Sequence, residues 1–189
     1  MSTINLNELR DRAYKIARDH GFHDEDWSNE HLLCLVVSEL MEAVEADRKG
    51  KKPGIEQFNC GISYPKNDFK DVYDYCIKGT VAEELADACI RLLDLAGLRN
   101  ISINDFTDEI IYEATESCND ETFTESIYAI STIPIRCEYE YDSSFNEQVN
   151  NMLLGIIGLA NYLDIDLLWH INQKMRYNEL RPMMHEKKY

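Results

Sequence analysis

Residues 80–97, TVAEELADACIRLLDLAG, decide the reading of this chain. Thr80 is placed to cap a helix and Glu83, three residues on, to close a capping box. Gly97 is placed to end the helix in the left-handed conformation. Val81, Leu85, Ala88, Leu92 and Leu95 fall on one face at helical spacing. Glu84, Asp87, Arg91 and Asp94 recur at steps of three, four and three, so they form one polar stripe along the border of that apolar face.

A second segment, residues 28–50 (SNEHLLCLVVSELMEAVEADRKG), repeats the pattern. Leu32, Leu35, Glu39 and Glu42 share a face, and Leu33, Val36, Val37, Leu40 and Val44 form an adjacent apolar stripe. Cys34, Ser38, Met41, Glu45 and Arg48 are left for the outside. Glu39 and Glu42 therefore continue an apolar stripe, and carboxylates so placed must be paired, protonated or bound to a cation. Acids at i and i+3 point the same way, with Cβ atoms about 5–6 Å apart. Two such helices bring four carboxylates together: Glu39, Glu42, Glu84 and Asp87. A hard divalent cation with oxygen ligands, Mg²⁺ or Mn²⁺, is their natural partner.

The chain has 189 residues, 44% hydrophobic and 29% charged, which suits one folded domain over residues 1–189. Its formal charge of -16 argues against non-specific binding to nucleic acid or an anionic membrane. The charged N-terminus has no secretory pattern, and the longest apolar run, residues 152–160, is too short for a membrane span. The six cysteines show neither CxxC nor zinc-like spacing, and reduced thiols in a cytoplasmic protein are expected.

The rest of the chain reads as mostly helical. An amphipathic helix covers residues 6–20 and is stopped by Gly21. Ser28 caps the first acidic helix, and Trp27 just before it serves either as a staple or as a ring that stacks on a flat ligand. Residues 49–79 form a long connection with a short helix within 66–77. Its aromatics (Phe58, Tyr64, Phe69, Tyr73, Tyr75) either wall a ligand or cover the bundle. Residues 101–142 read as a partly irregular insertion, with helical periodicity over 105–115 and over 122–133, up to Pro134. Residues 145–162 form an apolar helix, and Asp164 or Asp166 caps a last helix that ends before Pro182. On that helix Lys174, Asn178 and Arg181 share a face and suit phosphate oxygens. His185, Lys187 and Lys188 make the C-terminus the most basic stretch.

ExxE (Glu39, Glu42), ExxD within EELAD (Glu84, Asp87) and KxxxNxxR (Lys174, Asn178, Arg181) together resemble the MazG-like all-α nucleoside triphosphate pyrophosphohydrolases, a superfamily that includes dimeric dUTPases, dCTP pyrophosphatases and phosphoribosyl-ATP pyrophosphohydrolase. The resemblance covers residues 28–50, 80–97 and 167–189. It implies an all-α helical bundle that forms a homodimer or homotetramer. It implies Mg²⁺-dependent cleavage of a nucleoside or deoxynucleoside triphosphate to the monophosphate and pyrophosphate. Carried over by position, Glu39, Glu42, Glu84 and Asp87 are the metal ligands, and Lys174, Asn178 and Arg181 the phosphate contacts. Water would attack the α-phosphorus, Glu39 or Glu42 would help remove its proton, and Lys174 and Arg181 would offset phosphate charge. The chain departs from the family at Ser38, where many members carry Glu, in the longer interval between Glu42 and Glu84, and in residues 101–142.

The competing reading is a catalytically silent helical bundle that binds nucleotide or a protein, its acids salt-bridged, for example Asp87 or Asp94 with Arg91. A carboxylate-bridged di-iron bundle is disfavoured, because neither acidic motif has the histidine of an ExxH pair.

Overall fold

The computed structural model describes residues 5–186, and among them every regular element is helical. The elements are α1 (Leu6–Asp19), α2 (Asn29–Arg48), α3 (Ile55–Ser63), α4 (Phe69–Cys76), α5 (Val81–Leu98), α6 (Asp108–Glu116), α7 (Phe123–Tyr139), α8 (Phe145–Tyr162) and α9 (Leu167–Glu179). The all-α bundle is as expected. No single helix among the described residues is long and apolar enough to cross a membrane.

Helix α5 is the axis. It packs against α1, α2, α8 and α9, and its Leu85, Ala88, Leu92 and Leu95 are essentially without exposure. Small residues let the neighbours approach closely. Gly97 lies inside the helix, not at its end: a Cβ there would stand 2.5 Å from Tyr14 Cβ on α1. Asn100, with φ of 55°, supplies the left-handed residue expected of Gly97. On the far side α6 and α7 pack on α8.

Caps account for most helix starts. Ser28 accepts from His31 N–H, and Asp166, not Asp164, accepts from Trp169 N–H. Thr80 accepts from Glu83 N–H at 3.3 Å, but the expected reciprocal bond is absent: Glu83 Oε2 accepts from Gly79 N–H at 2.8 Å. Gly21 ends the α1 turn with φ of 81°.

Two stretches are more regular than their sequence suggests. Residues 101–142 are irregular chiefly over 101–107 and 117–122, and otherwise form α6 and α7. Pro134 does not end α7. Ser131 and Thr132 return their hydroxyls to carbonyls of the preceding turn, and the helix runs on so that Cys137 is buried. A proline removes one backbone bond, and packing of α7 on α8 compensates for it. The 49–79 connection carries both α3 and α4. Phe58 and Tyr73 are wholly buried and form a satellite core with Tyr177 and partly buried Phe69 and Trp169. Tyr64 and Tyr75 are exposed. These aromatics therefore fasten α3 and α4 to α9.

Candidate metal centre and its adjoining cavity

Three of the expected acids meet. One carboxylate oxygen each from Glu39, Glu42 and Glu84 lie within 4.8 Å of one another. The acid pairs of α2 and α5 produce this meeting because the two helices pack together. Glu39 is 2% exposed and Glu84 7%, whereas Glu42 faces solvent. Glu84 holds its proton up to about pH 9, because it is buried and because Glu83, Asp87 and Glu42 repel a further negative charge; the Lys174 ammonium only partly opposes this.

Asp87 stands outside that cluster among the described residues and is held by Lys174 Nζ at 2.9 Å. Lys174 is 4% exposed and also pairs with Glu83. Burial opposes its charge, yet Asp87 and Glu83 raise its pKa well above the ordinary lysine value. The ammonium expected to meet a phosphate is thus paired with two acids. Its partner Glu83, 1% exposed, was expected only as a cap. Tyr73, whose hydroxyl donates to Glu83 at 3.5 Å, has its pKa pushed far up by burial and by the charge of Glu83.

The polar stripe of α5 continues from this centre along a cavity of about 80 Å³ between α1, α2, α5 and the end of α9. Asp87, Arg91 and Asp94 line it, as do Trp27, Asn178 and Arg181. Arg91 Nε donates to Glu39 Oε1 at 2.5 Å. Asp94 receives His23 Nε2 at 2.7 Å, and burial raises its pKa despite that bond. Arg91 is thus ion-paired with Glu39, and the charges of Asp87 and Asp94 also favour its ionised form. Trp27 stacks on His31, ring centroids 4.3 Å apart and planes at 15°. Arg181 Nη2 donates to His185 O at 3.1 Å. His185 also lines the cavity, while Lys187 and Lys188 lie outside the described residues.

Of the residues the sequence assigned to one site, the structure groups Glu39, Glu42 and Glu84, places Asp87, Trp27, Asn178 and Arg181 on the cavity wall, and joins Lys174 to Asp87. His23 was missed. It sits in a linker with no periodicity, and its neighbour Asp94 is far away in sequence. No family model, curated protein or solved structure matches the chain.

Proposed function

We propose that this chain hydrolyses a nucleoside or deoxynucleoside triphosphate to the monophosphate and pyrophosphate with a divalent cation, Mg²⁺ or Mn²⁺, as the MazG-like resemblance implies. The observation that carries the reading is the convergence of Glu39, Glu42 and Glu84 beside a cavity with an aromatic wall and two guanidinium groups. The donor set fits a hard cation: all three ligands are carboxylate oxygens. Burial and acidic neighbours favour the protonated form of Glu84, and a positive partner would relieve both.

When held by these three residues, the cation would polarise a phosphoryl oxygen and acidify water. The chain's own groups divide the remaining work. Arg91 fixes Glu39, so that carboxylate is not free to travel. Glu42, exposed and beside it, is the better base: it takes the proton from the attacking water as the new oxygen–phosphorus bond forms and the bond to pyrophosphate breaks. Lys174 positions Asp87 at the boundary between acids and cavity. Arg181, at the cavity wall, offsets phosphate charge.

The silent-bundle reading draws on the ion pairs Arg91–Glu39 and Lys174–Asp87, which compensate part of the acidic charge without any metal. One assay separates the two: purified protein with Mg²⁺ and a panel of NTPs and dNTPs, with pyrophosphate and orthophosphate read separately. Pyrophosphate with a monophosphate supports hydrolysis at the α-phosphorus. Orthophosphate alone overturns that mechanism. No turnover, together with no rise in melting temperature on adding Mg²⁺ or Mn²⁺, establishes the silent bundle.

A further inference from the structure

The cavity beside the acids holds two buried hydrogen-bond acceptors that no protein group satisfies. The His23 side chain is 8% exposed, and its Nε2 meets Asp94 Oδ1. In the neutral ring with a carboxylate accepting at Nε2, the one ring proton sits on Nε2 and Nδ1 keeps its lone pair. That Nδ1 is buried and unpartnered, and so is the Oδ1 of Asn178, a residue 6% exposed. Both residues line the cavity. Buried polar atoms are almost always paired, so two orphans on one cavity wall ask for a ligand that donates. The cavity also has a flat side, the stacked Trp27–His31 pair. Its volume of about 80 Å³ corresponds to roughly five to eight water-sized positions, which suits a single ring better than a fused pair.

We propose that this cavity selects a cytosine nucleotide over uracil and thymine nucleotides, the 4-amino group of the base donating to His23 Nδ1 and Asn178 Oδ1. An amino group offers two N–H bonds to two acceptors. Uracil and thymine place a carbonyl at the same ring position, and its lone pairs would oppose both acceptors. Their one ring N–H satisfies a single acceptor at most. A site built around hydrogen bonds rejects the analogue that lacks them far more strongly than an apolar pocket rejects a change of size. The inference rests on the hydrolase reading only for the ligand's being a nucleotide.

Equilibrium binding of CMP, UMP and AMP to the intact chain with Mg²⁺ tests it without requiring turnover. The expected result is CMP bound at least about tenfold more tightly than UMP, with AMP weaker than CMP. Asn178→Leu and His23→Phe should each reduce the CMP-to-UMP preference to under about threefold. The wild-type comparison stands even if one variant fails to fold. Equal or tighter UMP binding overturns the proposal, as does AMP binding tightest or no binding of any of the three by folded protein. The two readings fail separately. CTP and UTP cleaved with equal kcat/KM would overturn base selection and leave hydrolysis standing. Selective CMP binding without turnover of any triphosphate would do the reverse.

Discussion

Glu84 and Asp94 stand at the two ends of one polar stripe on α5, and their surroundings differ. Around Glu84 the neighbours are mostly acids, Glu39, Glu42, Glu83 and Asp87, and the carboxyl keeps its proton far above the ordinary range. Around Asp94 the neighbours are basic: His23 bonds it and Arg91 favours its charge. Glu84 is buried and Asp94 largely so. Only the first gathers more carboxylates than its bases compensate. The comparison teaches that burial of charge does not by itself mark a cation site; the balance of neighbours does.

The comparison breaks most sharply at Glu42. Glu42→Gln removes one carboxylate from the uncompensated end while keeping its shape and exposure. Turnover should fall at least about 10³-fold, equivalent to about 4 kcal/mol of barrier. The melting temperature without metal should stay close to wild type, and the rise produced by Mg²⁺ should shrink. Steady-state rates and thermal melts with and without Mg²⁺ check all three. A variant that keeps full activity removes Glu42 from the centre.

Lys174 serves the acidic end directly, through Glu83 and Asp87, as Arg91 does through Glu39. Lys174→Met leaves Glu83 buried opposite a methyl group, and breaking a buried pair this way should cost about 3 kcal/mol in urea denaturation. Glu83→Gln on top of Lys174→Met should recover part of that loss, since the orphaned charge goes with it. Additive losses in the double variant would mean that the pair is not coupled.

What the sequence offered follows the same division. The acid pairs were legible because Glu39, Glu42, Glu84 and Asp87 interrupt apolar stripes at i and i+3, and Ser28 and Asp166 announced their helices by cap chemistry. Lys174 was legible as a residue of the site, but not as the partner of Glu83. That contact joins residues 91 apart, and nothing local encodes it. α3 went unread because its N-cap is Gly54, which provides no side-chain bond, and because Gly61 sits within its nine residues. α7 outran Pro134 because it packs on α8, a partner distant from that proline, and buries Cys137 beyond it. Local rules failed where tertiary packing decided.

His170 gives the fold a response to acid that is separate from the carboxylates. It lies on α9, 4% exposed against Trp169, and burial depresses its pKa to about 4. The unfolded chain takes up that proton near pH 6.5 and the folded chain only near 4. Between those values the unfolded state binds more protons. Its contribution is therefore complete above about pH 6.5 and is lost as the pH falls towards 4. Urea midpoints across that window should decline, and His170→Gln should flatten the decline. An unchanged slope in the variant would place the acid sensitivity elsewhere.

The smallest effect is expected at the compensated end. Asp94→Asn keeps an oxygen that can accept from His23 Nε2, and it gives up a charge that burial already disfavours. What it loses is the attraction of Arg91, and that guanidinium retains its bond to Glu39. The change in unfolding free energy should stay within about 1 kcal/mol, the scale of one hydrogen bond. Glu42→Gln and Asp94→Asn make the same chemical change on neighbouring surfaces of one site. If the first abolishes Mg²⁺-dependent turnover and the second leaves both stability and the Mg²⁺-induced melting shift nearly intact, the neighbour balance along α5 is what separates a cation site from a hydrogen-bonded buried acid. If Asp94→Asn removes the Mg²⁺ shift as fully as Glu42→Gln, the cation binds along the whole stripe, and the division between its two ends fails.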